Sequence, residues 1–339
     1  MHHFLMILAL PLLFNSAFSH TGYAAEASSL CDNADIIFTH ADFITLNPKQ
    51  PRAKAVAVTN GHLVALGNPK DLLSRCRGKH TVLTDLKGVT VVPGLIDTYS
   101  RFILTGWLDE NAVDISSTNP FNHQKWHPVK IREELSSLLQ EQAEKTDEWL
   151  IISGYDPSKI KGKPLTQAML NKATKTTPTI VFFASFDKAL VNEAGIKQLK
   201  NAQTLLDDNG VVSKDAFNQM LTQLIPPATA RAAIISAAEL FARQGYTTVT
   251  EIQGNDSWLS IYNQLTETQS LPVDVVYITQ NLQTKLKLDA IYNHNNRLYP
   301  GPLLVRVDGL ANHYESFLSK SYLHLPATTT NTWPDDYLN

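Results

Sequence analysis

Apolar and polar positions alternate loosely over Asp35–Asn47 (DIIFTHADFITLN), the pattern of a half-buried strand pair. Over Ala55–Leu66 (AVAVTNGHLVAL) two apolar runs flank Asn60-Gly61. This dipeptide predicts a hairpin, because both central positions of the tight turn need positive φ. A short helix at Pro69–Ser74 and strands near Thr81–Leu83 and Thr90–Val92 complete a small β-rich unit over residues 25–92.

From Gly94 the pattern changes to strands alternating with helices. Val91–Ile96, Trp149–Gly154, Thr179–Ser185, Thr247–Ile252, Val273–Ile278 and Leu303–Val307 are short apolar runs without strict alternation. That is the signature of parallel strands covered on both faces. Ala228–Gln244 predicts the clearest helix, with Thr229 as N-cap, Gly245 as stop, and Ile234, Ala238 and Phe241 on one face. Repeated βα units give a doubly wound sheet or a (β/α)8 barrel. Residues 93–339 have the length of a barrel of about 250 residues, yet only about six strands can be read. Ser100–His127 and Lys197–Pro227 read as long excursions, and the tail Pro326–Asn339 reads as loop.

Phe4–Phe18 (FLMILALPLLFNSAF) is an apolar block followed by small residues, with candidate cleavage points after Ser19 and Ala24. Residues 1–24 therefore read as a signal peptide, which implies an exported protein, periplasmic or secreted. The block carries no preceding Lys or Arg, so an uncleaved anchor is the alternative. After cleavage no transmembrane segment is expected, because no later apolar stretch is long enough. Cys31 and Cys76 are the only cysteines, and they read either as one disulfide or as two buried thiols. Apolar residues make up 43% of the chain, enough to fill a sizeable core, and charged residues only 18%, against a largely disordered chain. Lys plus Arg number 29 and Asp plus Glu 32, giving a net charge of −3 and no basic excess for nucleic acid.

The phrases ADIIFTHADFITLN, AVAVTNGHLVALG and GVTVVPGLIDTYSR, followed in order by WLIISGYD, LTQAMLNKAT, ALVNEAGI, ARQGYTTVTEI and VRVDG, resemble the amidohydrolase superfamily. The branch it resembles is amidohydrolase-3: YtcJ-like hydrolases, N-substituted formamide deformylases and AepA-like exoenzyme regulators. The resemblance implies a TIM-type β/α barrel, here incomplete, joined to a small β-sandwich-like unit. It also implies metal-dependent hydrolysis of carbon–nitrogen bonds in amides, through zinc or another divalent ion that activates water.

The family's ligand positions hold other residues in this chain. The His-x-His pair after PGLID is replaced by Tyr99 and Arg101. The histidine before the LVN phrase is replaced by Asp187, and the one ending the GYTTV strand by Thr250. A guanidinium cannot ligate a cation, and a phenol is a poor ligand for zinc at neutral pH. The family's last aspartate falls beyond the end of the sequence. No metal or other cofactor is therefore expected. The former site becomes a pocket of Asp97, Tyr99, Arg101, Asp187, Thr250 and Arg306. Asp187, Glu251 and Asp308 are the candidate catalytic groups if turnover persists. The competing expectation is that these acids cap the helices that follow them or pair with Arg101 and Arg306. His123 and His127 have the i, i+4 spacing of a helical zinc site, but Pro128 and the loop-like NPFNHQKW argue against a helix, and His313 reads as a solvated loop histidine or as a residue lining the pocket mouth.

Three readings follow: an active hydrolase of amide or N-formyl bonds, a non-catalytic exported protein that binds an amide-like small molecule or a partner, and a truncated gene remnant. An open barrel edge would call for a second chain to cover it.

Overall fold

In a computed structural model the described residues are 31, 33–119, 121, 125–186, 188–212, 216–252, 254–268, 270–292 and 297–305. The signal segment, Asp187, His123, Arg306, Asp308, His313 and the tail lie outside them. The chain divides into two compact units, Met1–Pro93 and Gly94–Asn339.

In the first unit β1 (Ile36–Ile44), β2 (Arg52–Thr59), β3 (His62–Gly67), β4 (Val82–Asp85) and β5 (Thr90–Val91) form one sheet of order β3-β2-β1-β4, with β5 also on β1. The expected strand pair over Asp35–Asn47 is a single strand. An irregularity between Thr39 and Phe43, with His40 at φ 52°, lets its two halves pair β4 and β5 in turn. The Asn60-Gly61 hairpin forms as expected, with φ of 51° and 75°. Helix α1 (Pro69–Cys76) is started by the Asn68 side chain, which accepts the Asp71 N–H, and by Pro69 in its first turn. It buries Leu72 and Cys76 against Ile37, Ala55 and Ala57 of one sheet face, where Cys76 is disulfide-bonded to Cys31. Where a sandwich was expected, the described residues of this unit supply one sheet only.

The second unit holds β6 (Leu95–Ile96), α2 (Phe102–Asn111), β7 (Ala112–Asp114), α3 (Arg132–Ala143), β8 (Leu150–Tyr155), α4 (Gln167–Thr174), β9 (Thr179–Phe183), β10 (Ala189–Val191), α5 (Glu193–Ile196), α6 (Ala202–Leu205), α7 (Phe217–Leu224), α8 (Pro227–Arg243), β11 (Tyr246–Glu251), α9 (Asp256–Glu267), β12 (Asp274–Thr279), α10 (Leu282–Ile291) and β13 (Leu298–Leu303). Among the described residues the strands form two open four-stranded sheets, β10-β9-β8-β7 and β13-β12-β11-β6. They do not join into a closed barrel.

Strand β8 shows why the apolar runs are continuous. Leu150 and Ile152 pack on α3 and α4, while Ile151 faces the larger core with Phe102 and Phe182, so both faces are covered.

Several expectations are corrected here. The Ser100–His127 excursion contains α2 and β7, a strand whose three residues are too few to show a period. The Lys197–Pro227 excursion is mostly helical, and Phe217, Met220 and Leu221 of α7 enter the core. Strand β10 runs antiparallel to β9, because the link over residues 184–188 is too short for a crossover. The expected strand at Leu303–Val307 lies earlier, at Leu298–Leu303. Its Pro300 and Pro302 are tolerated because β13 is a sheet edge. Helix α8 begins at Pro227 rather than after Thr229, since Pro226 holds the extended cap conformation and Pro227 sits in the first turn. Gly245 stops it at φ 87°.

Helix α2 lies very close to α8. A Cβ at Gly106 would come within 2.0 Å of the Ala233 carbonyl oxygen and 2.5 Å of the Ala237 nitrogen. Only glycine opposite a run of alanines permits this approach.

Candidate functional site

The C-terminal ends of β6 and β11 bring together four of the residues singled out from the sequence: Asp97, Arg101, Thr250 and Glu251. Tyr99 lies in the same loop but is 62% exposed. Hydrogen bonds lace this loop to β11. The Thr250 hydroxyl donates to the Asp97 carbonyl at 2.8 Å, and the Ser100 hydroxyl donates to the Thr250 carbonyl at 2.7 Å. Backbone bridges join Ser100 and Arg101 to Glu251. The Thr250 hydroxyl, where the resemblance implies an imidazole, is thus engaged in holding the loop.

Glu251 is fully buried. Its Oε2 accepts the Ile103 N–H at 2.9 Å and the Tyr262 hydroxyl at 2.9 Å. Ile103 is in the first turn of α2, whose opening N–H groups have no intrahelical partner, and a carboxylate there is favoured by the helix dipole. Burial first, and then the Glu251 charge, push the phenols of Tyr262 and Tyr277 well above the usual tyrosine range. Both stay protonated, and Tyr262 remains a donor. Tyr277 is tied at the end of α9's approach, accepting the Asn255 N–H and donating to the Asn255 carbonyl. Glu251 caps not the helix that follows it but α2, which precedes it in the chain by 148 residues.

A divalent metal does not fit these donors. Among the described residues no three His, Cys, Asp or Glu side chains converge. Glu251 is committed to α2 and Tyr262, and Tyr99 and Arg101 offer a phenol and a cation, neither of them a good ligand for a divalent ion.

A second feature escaped the sequence reading. The ends of β7, β8 and β9 border an open pocket of about 340 Å³, lined by Thr105 and Leu108 of α2 and by Asp114 and Ser153. Asp114 accepts the Ser116 N–H at 2.9 Å and faces the Ser116 hydroxyl at 3.0 Å. Gly154 lies against it at φ 83°, and a Cβ there would come within 2.7 Å of Asp114 Oδ1. Asp156, at the rim, has its carboxyl held below the usual range. Burial works against this, but hydrogen bonds from the Ser158 hydroxyl and N–H, and the nearby Lys159, outweigh it. The signal available in sequence was the glycine of ISGYD at the end of a buried strand.

A family model described as "Amidohydrolase family" matches residues 82–335. A solved structure of an uncharacterized metal-dependent hydrolase from Pyrococcus horikoshii OT3 is similar, with TM-score 0.63 and 18% identity, over 87% of this chain and 59% of that one. A second, from Pyrococcus furiosus, gives TM-score 0.63 and 18% identity over 89% of this chain and 62% of that one. At that identity the likeness is one of fold, and this chain spans about six-tenths of either relative. No curated protein matches it.

Proposed function

The chain belongs to the amidohydrolase family, and from this premise we propose that it derives from metal-dependent hydrolases of carbon–nitrogen bonds in non-peptide amides, within the amidohydrolase-3 branch, and has lost most or all of that turnover. The observation that carries the proposal is the state of Glu251 and Thr250. Both stand at the strand end where ligands and a base would be needed, and both are engaged in holding the loop and α2. Without a cation to lower the pKa of water, an amide carbonyl at neutral pH lacks a competent nucleophile.

The first prediction concerns metal content. Protein purified from zinc-supplemented growth should carry well under one zinc per chain by elemental analysis. It should show no amide or N-formyl hydrolysis above background. One tightly held zinc per chain would overturn the proposal.

A second reading is a non-catalytic binder of a small amide-like molecule, favoured by the pocket at the ends of β7–β9. Export to the periplasm or beyond is supported by the Cys31–Cys76 disulfide, which persists in an oxidising compartment.

A further inference from the structure

The pocket at the ends of β7–β9 holds a buried acid without a counter-charge. Asp114 is 8% exposed, and no Lys, Arg or His reaches its carboxylate among the described residues. Its partners are both on Ser116. The Ser116 hydroxyl lies 3.0 Å from Asp114 Oδ2 and 2.6 Å from the Thr118 carbonyl, yet it has one proton to give. One of those two oxygens therefore lacks a donor. Asp156 differs, because Lys159 stands 3.8 Å away.

Ser153 supplies an independent observation. It is 6% exposed and shares the inner face of β8 with Ile151, as the alternation along the strand requires. It lines the pocket, and its hydroxyl makes no hydrogen bond to any described residue. Buried hydroxyls and carboxylates without full partners are uncommon, because each costs its desolvation. Asp114 and Ser153 both keep spare hydrogen-bonding capacity on one pocket floor, which a hydrogen-bond-donating ligand would use. Above the floor the wall is mainly apolar, from Leu108, Ile115 and Ile160, with Lys130 and Lys159 also in the lining and Lys159 engaged with Ser117 at 3.4 Å and Asp156 at 3.8 Å.

We propose that this pocket binds a small primary amine on an apolar body, with the ammonium seated on Asp114 and hydrogen-bonded to Ser153. An ammonium has three donors and no acceptor. It answers both unsatisfied groups and supplies the missing counter-charge, and an apolar body of a few carbons to one ring fits about 340 Å³. A carboxylate ligand seated on the same floor would face Asp114 charge to charge, with only Lys130 and Lys159 elsewhere in the lining to receive it. This inference stands whether or not the chain hydrolyses amides.

The test uses the full chain at neutral pH with benzylamine, benzyl alcohol and benzoate as probes, titrated by ligand-observed NMR. Benzylamine should bind saturably, benzyl alcohol more weakly, and benzoate not at all. Asp114→Asn should weaken benzylamine by about tenfold or more, the loss expected for a charge-assisted hydrogen bond. Ser153→Val fills the floor and should abolish binding with the fold intact, since the hydroxyl it removes supports nothing. It therefore decides the matter even if Asp114→Asn fails to fold. Equal binding of benzoate, no saturable binding of benzylamine, or full affinity in Ser153→Val would each overturn the proposal.

Discussion

Glu251→Ala should lower the unfolding free energy by about 3–5 kcal/mol. The substitution removes a fully buried carboxylate and leaves the Ile103 N–H and the Tyr262 hydroxyl facing a void. Each buried donor left bare costs about 1–3 kcal/mol, and the lost side-chain volume adds a cavity term. Glu251→Gln keeps one carbonyl acceptor and should cost less, about 1–2 kcal/mol. Trp258 is fully buried on α9, the helix that carries Tyr262, so its fluorescence in urea reports the transition. A free catalytic or ligating carboxylate would behave in the opposite way, because removing an unpaired buried charge stabilises a fold. Unchanged or higher stability of Glu251→Ala would therefore reverse the assignment of Glu251 as the anchor of α2.

Replacing both cysteines with alanine, or reducing the bridge, should destabilise the N-terminal unit by about 4 kcal/mol. That is the chain-entropy value for a loop of 45 residues. In the folded unit Cys76 lies on the buried side of α1, beside Leu72 and Ile37. Without the bridge, α1 is held by little beyond Leu72, Leu73 and the capping bond from Asn68. The measurement is thermal or urea unfolding with and without reductant, followed by far-ultraviolet circular dichroism. Identical midpoints would show that the bridge contributes nothing to the unit.

What could be read from sequence depended on how local the cause was. The Asn60-Gly61 turn and the Gly245 helix stop are set by φ preferences of single residues, and both form as expected. Buried strands of five or six residues flanked by helices were legible from composition. Strand β7 was not, because its three residues carry no period and its identity comes from pairing Ala112 with Ile151. Strand β13 was displaced because two prolines argue against a strand everywhere except on an edge. At the site, residue identities told which side chains stand at the strand ends, but not what they do. The partner that gives Glu251 its role is 148 residues away in sequence. The pocket floor was harder still. The meaning of Asp114 and Ser153 lies in the partners they lack, and sequence does not show an unfilled hydrogen bond.

The seating of Glu251 beneath α2 bears on inhibitor chemistry. Helix starts ordinarily welcome sulfates, phosphates and carboxylates from solution. Here that vacancy is filled from inside the fold, by a side chain that cannot leave without loosening α2 from β11. Phosphonates and sulfonates, the usual mimics of a tetrahedral oxyanion, gain no electrostatic reward at this helix.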